Sequence, residues 1–409
     1  MKTVVAFLLL FSQVFALNDE VLKHVKKFNG FNLGHLHNVT SANNKFSASL
    51  YKTIAEANGD ENVIISPVSI DVGLALMYLG AGGRTAQQMA AGLHIPQDHI
   101  SVRLGFRHLI HSLRSSNDMD LEIANKIFLQ TSLNIQKGFR RAARKAFGSD
   151  ARELNFQKNS EKASKIINQW VEKRTRQKIS EIIEPGVITP DTKMILANAV
   201  YLKANWLTPF NSDDTKNEVF HSKTGNETIV PMMKIKTILG FKHSEELGAK
   251  VLELPYQNEV ASMFVLLPDA RDGISDLESK LSTVDLATLF TSLPPEEVFV
   301  KIPKFKAESA IKLKPHLQEL GFKDMFDATV ANFSGITGQP DLYITHVLHK
   351  AFINVTELGT EAGASTAIVI EARMWRPPPP EFIADHPFMF VIWHKKINTA
   401  LFMGRLMKP

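Results

Sequence analysis

The spacing of hydrophobic positions changes character along the chain. In the first third, apolar residues recur three and four positions apart over segments 44–57, 68–79 and 98–114, which predicts amphipathic helices. In the last of these, Val102, Phe106, Leu109 and Leu113 form one face. A shorter amphipathic stretch occupies 21–28. Segment 121–129 reads as a strand, and 135–147 and 161–176 return to helical spacing. From residue 194 onward the apolar runs are short and rich in β-branched residues: 194–202, 250–254, 262–267 and 297–302. Pro255, Pro268, Pro294 and Pro303 bound them, as turns bound strands. A helix at about 312–320 interrupts the series, and strands follow at 347–355 and 388–393. Helices first and strands later, with no repeating period, predict an α+β domain built on large antiparallel sheets.

Composition adds limits. Of 409 residues, 44% are hydrophobic and 22% charged, an ordinary globular balance, and no linker divides the chain. A chain of this length buries about three-quarters of its unfolded surface and needs no covalent staples. Lys2, the apolar run 4–11 and Val14-Phe15-Ala16 predict an export signal over 1–16, with a secreted, extracellular chain from Leu17. The run is too short to span a hydrocarbon layer of about 30 Å as a helix. The absence of cysteine excludes thiol nucleophiles, thiolate metal sites and disulfides. Sequons at Asn38, Asn226, Asn332 and Asn354 are candidate glycan sites, with Asn38 and Asn226 set among polar neighbours. A formal charge of +5 permits attraction to polyanions but specifies none. Neither a nucleic acid nor a membrane is expected as partner, and no cofactor or metal.

One segment breaks the pattern. Residues 359–367 are almost all small, then come Ile368, Val369 and Ile370, Arg373, Arg376 and four prolines, Pro377 to Pro380. This connection of about thirty residues lies between two strands, and loops that long in a compact domain are usually functional or disordered. Laid out as a strand, Thr360, Ala362, Ala364, Thr366, Ile368 and Ile370 share one uncharged face, while Glu361 and Glu371 lie on the other. A loop by composition is therefore patterned to become a strand. Its small inner face suits entry into a narrow gap, where charged side chains would suffer desolvation.

The motifs themselves resemble those of the serpin family. Glu357-Leu-Gly-Thr-Glu-Ala-Gly-Ala-Ser-Thr366 resembles the hinge of the serpin reactive-centre loop, and Phe382-Ile-Ala-Asp-His-Pro-Phe388 the signature beyond it. Asn62-Val-Ile-Ile-Ser-Pro-Val-Ser-Ile70, continuing through the stretch 74–86, resembles the family's helix B. Ala197-Asn-Ala-Val-Tyr-Leu-Lys-Ala-Asn-Trp206 resembles the strand behind the insertion site. The likeness runs from about residue 44 to 409, and the motif style is similar to secreted arthropod, tick-like members.

The resemblance implies a serpin fold of helices and three β-sheets in a single domain over 17–409, monomeric, with an exposed reactive-centre loop at about 357–381. It implies a suicide inhibitor: the protease cuts the loop, is held as an acyl-enzyme, and is carried along as the loop inserts into the main sheet. About fourteen inserting residues at ~3.3 Å each would move it on the order of 45 Å. Between 360 and 382 only Arg373 and Arg376 are basic, and Arg376 precedes Pro377, which blocks most serine proteases. Spacing from Gly359 and from Phe382 also lands on Arg373, so Arg373-Met374 is the expected reactive bond and a trypsin-like serine protease the covalent partner. A chymotrypsin-like enzyme using Met374 is the lesser alternative. The hinge comprises Gly359, Thr360, Glu361, Ala362, Gly363, Ala364, Ser365 and Thr366. Ser66, Ser69, Asn198 and His349 match the family's polar cluster beneath the sheet opening, and Trp206 the place where the loop first enters. Leu358 stands where inhibitory members often carry a charge, and Gly363 where alanine is common.

Weaker signals remain. Arg103, Arg107 and Arg114 fall at helical spacing, and Arg140, Arg141, Arg144 and Lys145 form a second basic stretch. Together they are a candidate site for a heparin-like glycosaminoglycan. Gly80-Ala-Gly-Gly-Arg-Thr85 lacks the ending of a phosphate loop and reads as a helix cap and turn. No hydrolase elbow or metalloprotease motif occurs, so the chain is not expected to be an enzyme. The rival reading is a non-inhibitory serpin acting as a carrier or binding module.

Overall fold

The structure is a computed structural model and describes residues 33–114, 120–257, 259–291, 293–340, 342–360 and 378–409. The export signal expected at 1–16, the stretch 21–28, hinge residues Glu361, Ala362, Gly363, Ala364, Ser365 and Thr366, and the bond Arg373-Met374 lie outside the described residues.

The described strands run, in chain order, β1 (Val63–Ile65), β2 (Asp120–Gln130), β3 (Ala151–Leu154), β4 (Met194–Asn205), β5 (Lys216–His221), β6 (Glu227–Ser244), β7 (Ala249–Pro255), β8 (Ala261–Pro268), β9 (Pro295–Pro303), β10 (Phe305–Lys312), β11 (His346–Thr356), β12 (Gly359–Thr360), β13 (Glu381–Ile383), β14 (Phe388–His394) and β15 (Thr399–Leu406). Six form one sheet in the order β10-β11-β12-β4-β2-β3. The other nine form a second network, β1-β15-β14-β8-β7-β6-β9-β13, with β5 on β6. The resemblance implied three sheets, and two of them are continuous here. The long strand β6 pairs with β9 up to Gly240 and with β7 from Gly240 on, so one strand passes through both portions.

Helix Pro67–Tyr78 is buried along its whole length between the two sheets, against β15 on one side and β2 and β4 on the other. Pro67 at its first turn suits a position whose N–H has no helical partner. Helix Ser160–Arg174 covers the opposite face of the six-stranded sheet, burying Ala163, Ile167 and Val171 against Phe128, Ile195, Ala197 and Leu348. Burying each large aliphatic or aromatic side chain contributes about 1.5–3 kcal/mol.

The helix at 98–114 appears as His99–Arg114 and buries Val102, Phe106, Leu109 and Leu113. Helix 135–147 is instead a six-residue helix, Lys137–Ala142, closed by a wider turn at Ala143–Phe147. The helix read from 44 begins at Leu33. Its early turns carry Thr40, Asn43 and Asn44, polar by composition yet buried. Asn43 and Asn44 bond Thr399, Ala400 and the Asn398 carbonyl at the β14–β15 turn.

Candidate functional site

Strands β4 and β11 lie side by side and parallel from Ile195↔His346 to Tyr201↔Phe352. Beyond that point they part, and the chain returns between them. Gly359 pairs with Asn205 and Thr360 with Ala204 on one side, while Val355 and Thr356 pair with Thr360 and Gly359 on the other. The described hinge residues thus already sit inside the sheet, antiparallel to both neighbours.

Local chemistry fixes this entry. Gly359 has φ +147°, and a Cβ there would lie 2.2 Å from the Ala204 carbonyl oxygen and 2.6 Å from the Asn205 Cα. Only glycine fits both the dihedral and the approach. Thr360 is completely buried, and its hydroxyl meets the Tyr256 hydroxyl at 2.8 Å. Burial holds the Tyr256 phenol well above its ordinary pKa, so it stays neutral. The Tyr256 ring stacks on Trp206 at 4.8 Å. Trp206 in turn donates from Nε1 to the Thr356 carbonyl and from its backbone N–H to the Leu358 carbonyl, both at 3.0 Å. The Glu357 carboxylate is tied to Lys304 Nζ at 2.9 Å and accepts from Thr215 Oγ1 at 2.9 Å. The turn Glu357–Leu358 is therefore anchored on both flanks, while β12 hangs on Trp206, Tyr256 and two short ladders.

Below the entry, four of the residues picked from sequence meet in one buried cluster. The Ser66 backbone N–H donates to His349 Nε2 at 3.1 Å, so His349 carries its proton on Nδ1 and donates to Asn198 Oδ1 at 2.5 Å. Asn198 Nδ2 donates to Ser69 Oγ at 2.6 Å and to Asn125 Oδ1 at 2.5 Å. Burial lowers the His349 pKa to about 3, so the imidazole is neutral near pH 7. Ser66 Oγ donates to the Leu401 carbonyl at 2.7 Å, tying the cluster to the second sheet.

Asn125 is the member the sequence reading missed. Its Nδ2 donates to the Ser69 carbonyl at 2.9 Å, and its own carbonyl accepts from Ser149 Oγ at 2.8 Å. The signal was a polar residue at strand spacing from Leu121, Ile123, Ile127 and Leu129, on a strand whose other face carries Glu122 and Lys126.

The basic residues divide. Arg103, Arg107, Arg141 and Lys145 are exposed. Arg140 is paired with Asp150 at 3.6 Å and Glu153 at 2.5 Å, and Arg144 with Asp150 at 2.7 Å, so these two are already neutralised. Arg114 lies apart, its guanidinium over Gly148. Among the sequons, Asn226 is exposed at the β5–β6 turn and Asn38 on helix Leu33–Ala57. Asn332 packs on Gly82 and accepts the Ser334 N–H at 3.1 Å, while Asn354 sits within β11 opposite Lys306.

A sequence model of the family described as serpin (serine protease inhibitor) matches residues 41–409. The chain is 35% identical to the human leukocyte elastase inhibitor over 384 residues, covering 91% of this chain and 100% of that protein. The crystal structure of a serpin from the insect Tenebrio molitor, described as highly specific, superposes with a TM-score of 0.83 at 32% identity, covering 91% of this chain and 98% of the other. Human thyroxine-binding globulin superposes with a TM-score of 0.84 at 26% identity, covering 92% and 99%. With that match over nearly the whole chain, the protein belongs to the serpin (serine protease inhibitor) family.

Proposed function

We propose that the protein is a secreted suicide inhibitor of trypsin-like serine proteases, cleaved at Arg373-Met374 and itself without turnover. The observation that carries the reading is the pair Gly359–Thr360, lodged between β4 and β11 with its side chains uncharged. The chain that follows, Ala362 to Thr366 on the same face, is small and free of charge, so a severed loop continues the strand already begun. The cluster of Ser66, Ser69, Asn125, Asn198 and His349 holds β4 and β11 together until the cut. Arg373 selects the protease through a primary pocket with a buried acid. Secretion is supported by Lys2 and the apolar run 4–11. A heparin-like co-ligand would use Arg103 and Arg107, since Arg140 and Arg144 are already ion-paired.

The likeness to thyroxine-binding globulin supports a second reading, a carrier without inhibitory action. Incubation with trypsin and denaturing electrophoresis separates the two. A stable band at the summed mass, lost in Arg373→Ala, is expected; complete cleavage without that band overturns inhibition in favour of the carrier.

A further inference from the structure

His386 stands in the turn that leads from β13 to β14, and both of its ring nitrogens are engaged. Nε2 lies 2.8 Å from the Pro268 carbonyl oxygen at the end of β8, and Nδ1 lies 2.7 Å from Asp385 Oδ1. A carbonyl oxygen only accepts, so Nε2 carries a proton. An ionised carboxylate also only accepts. The hydrogen bond from His386 holds the Asp385 carboxyl below its ordinary pKa against the opposing effect of burial, and the charges of His386, Arg271 and His221 act in the same direction. Asp385 is therefore ionised near neutral pH, and Nδ1 carries a proton as well. The ring that satisfies both contacts is the imidazolium, in a side chain only 9% exposed.

The other charges around the turn do not replace it. Arg271 Nη2 stands 3.9 Å from Asp385 Oδ2 and is largely exposed. His221, at the end of β5, lies 3.4 Å from Glu227, and Asp269, next to Pro268, is paired with His243 at 2.8 Å. Lys301 of β9 is held by Glu218 at 2.9 Å.

This turn moors the downstream end of the loop. β13 is three residues long and pairs, among the described residues, with β9 alone. Beyond it, the Ala384 N–H donates to the Lys301 carbonyl at 2.9 Å, and the Asp385 carbonyl accepts from the His221 N–H at 2.7 Å. The His386 ring adds the tie to β8. A neutral ring has one N–H, so either the Pro268 carbonyl or the Asp385 carboxylate loses its donor. We infer that His386 is a positioning residue: as the imidazolium it locks the turn 384–386 onto β8 and so holds β13, and with it the far end of the reactive loop, in place. The folded chain holds this proton, so the stability it contributes is present at low pH and is lost as the pH rises. The effect on the protease reaction rests on the inhibitory reading, and the lock itself does not.

Proton–nitrogen correlation spectra of the intact chain, labelled with ¹⁵N at its histidine rings, test the lock directly. The His386 signal, assigned by its absence in His386→Gln, should show at pH 7 the pattern of a ring protonated on both nitrogens, and should lose it as the pH is raised to 9. In Asp385→Asn the same ring should titrate at a lower pH, and this variant also identifies the signal if His386→Gln does not fold. A neutral ring in the native chain at pH 7, or an unchanged titration in Asp385→Asn, overturns the proposal. Hydrogen exchange at the Ala384 amide, corrected for its intrinsic rate, should accelerate at least fivefold from pH 7 to 9 in the native chain and stay level in His386→Gln. Equal acceleration in both overturns the link to β13. For the reaction, the ratio of native to His386→Gln association rates with trypsin should fall at least threefold over the same range, the pH dependence of trypsin itself cancelling. A constant ratio overturns the positioning role, whereas the absence of any complex with either protein at every pH counts against the inhibitory reading and leaves the lock to the spectra.

Discussion

His349 and Asn198 are register partners across the parallel β4–β11 pair, and their side chains meet at 2.5 Å along that joint. The bond therefore spans the two strands that loop entry must separate. It exists only while the ring is neutral with Nε2 free to accept from Ser66.

That requirement makes the joint sensitive to acid. Burial lowers the folded-state pKa of His349 to about 3, against about 6.5 for the unfolded chain. Below pH 6.5 the unfolded or opened state takes up a proton that the closed state refuses, so stability falls with pH until the folded pKa is reached. The loss amounts to about 1.4 kcal/mol per pH unit, or about 2 kcal/mol at pH 5. His394, lowered to about 4 by burial, acts in the same direction. Melting midpoints measured from pH 7.5 to 5 should fall more steeply for the native chain than for His349→Gln, with His394 leaving a residual slope in the variant. Parallel curves would refute the assignment to His349.

Thr360 occupies a fully buried position against Tyr256. Thr360→Arg places an unpaired charge there, at about 3–5 kcal/mol. The chain should still fold, since β12 is only two residues long, but the loop should fail to enter after cleavage. Trypsin should then cut the variant without a stable complex. Tyr256→Phe removes only the hydroxyl contact, worth about 0.5–1.5 kcal/mol, and should retain the complex with a modest rise in inhibitor consumed per protease. An unchanged complex in Thr360→Arg would exclude entry through this gap.

Much of this was legible before any coordinates, and the failures have physical causes. Helix His99–Arg114 and strands β8 and β14 announce themselves because each has one strong apolar pattern. Helix Gly83–Gly92 was hidden, with only three buried residues on a polar, glycine-bounded segment. The eighteen residues of β6 were hidden too, because lysines alternate with half-exposed positions and the strand changes partner at Gly240. Ser66, Ser69, Asn198 and His349 were reached through the family resemblance and not through the spacing of polar and apolar positions. Asn125 lies in none of the motifs that carried the resemblance, and the charges of Glu122 and Lys126 made its strand look solvated.

Asp71 runs against the rules of a settled core. It lies in helix Pro67–Tyr78, wholly buried, with neither carboxyl oxygen bonded among the described residues, and burial pushes its pKa well above the usual range. A buried polar group without a partner costs about 1–3 kcal/mol. Asp71→Leu, close in volume and without polar atoms, should raise the unfolding free energy by that order and move the urea midpoint upward. A lower midpoint would mean that the carboxyl has a partner in solution.

The arrangement of β4, β11 and β12 also predicts what cleavage does to stability. In the intact chain seven residue pairs of β4 and β11 form a parallel ladder, and only two residues of β12 lie between the strands. Parallel pairing is slightly less stable per residue than antiparallel. If the severed loop continues the direction of β12, that one parallel ladder is replaced by two antiparallel ones, and roughly ten further backbone hydrogen bonds form at about 1 kcal/mol each. For a chain of this size such a gain corresponds to a rise in melting midpoint on the order of 10 °C. Limited cleavage with trypsin followed by calorimetry should display that rise, and Thr360→Arg should lack it. A cleaved protein that melts with the intact one would mean that β12 is the end of a loop and not the beginning of a strand.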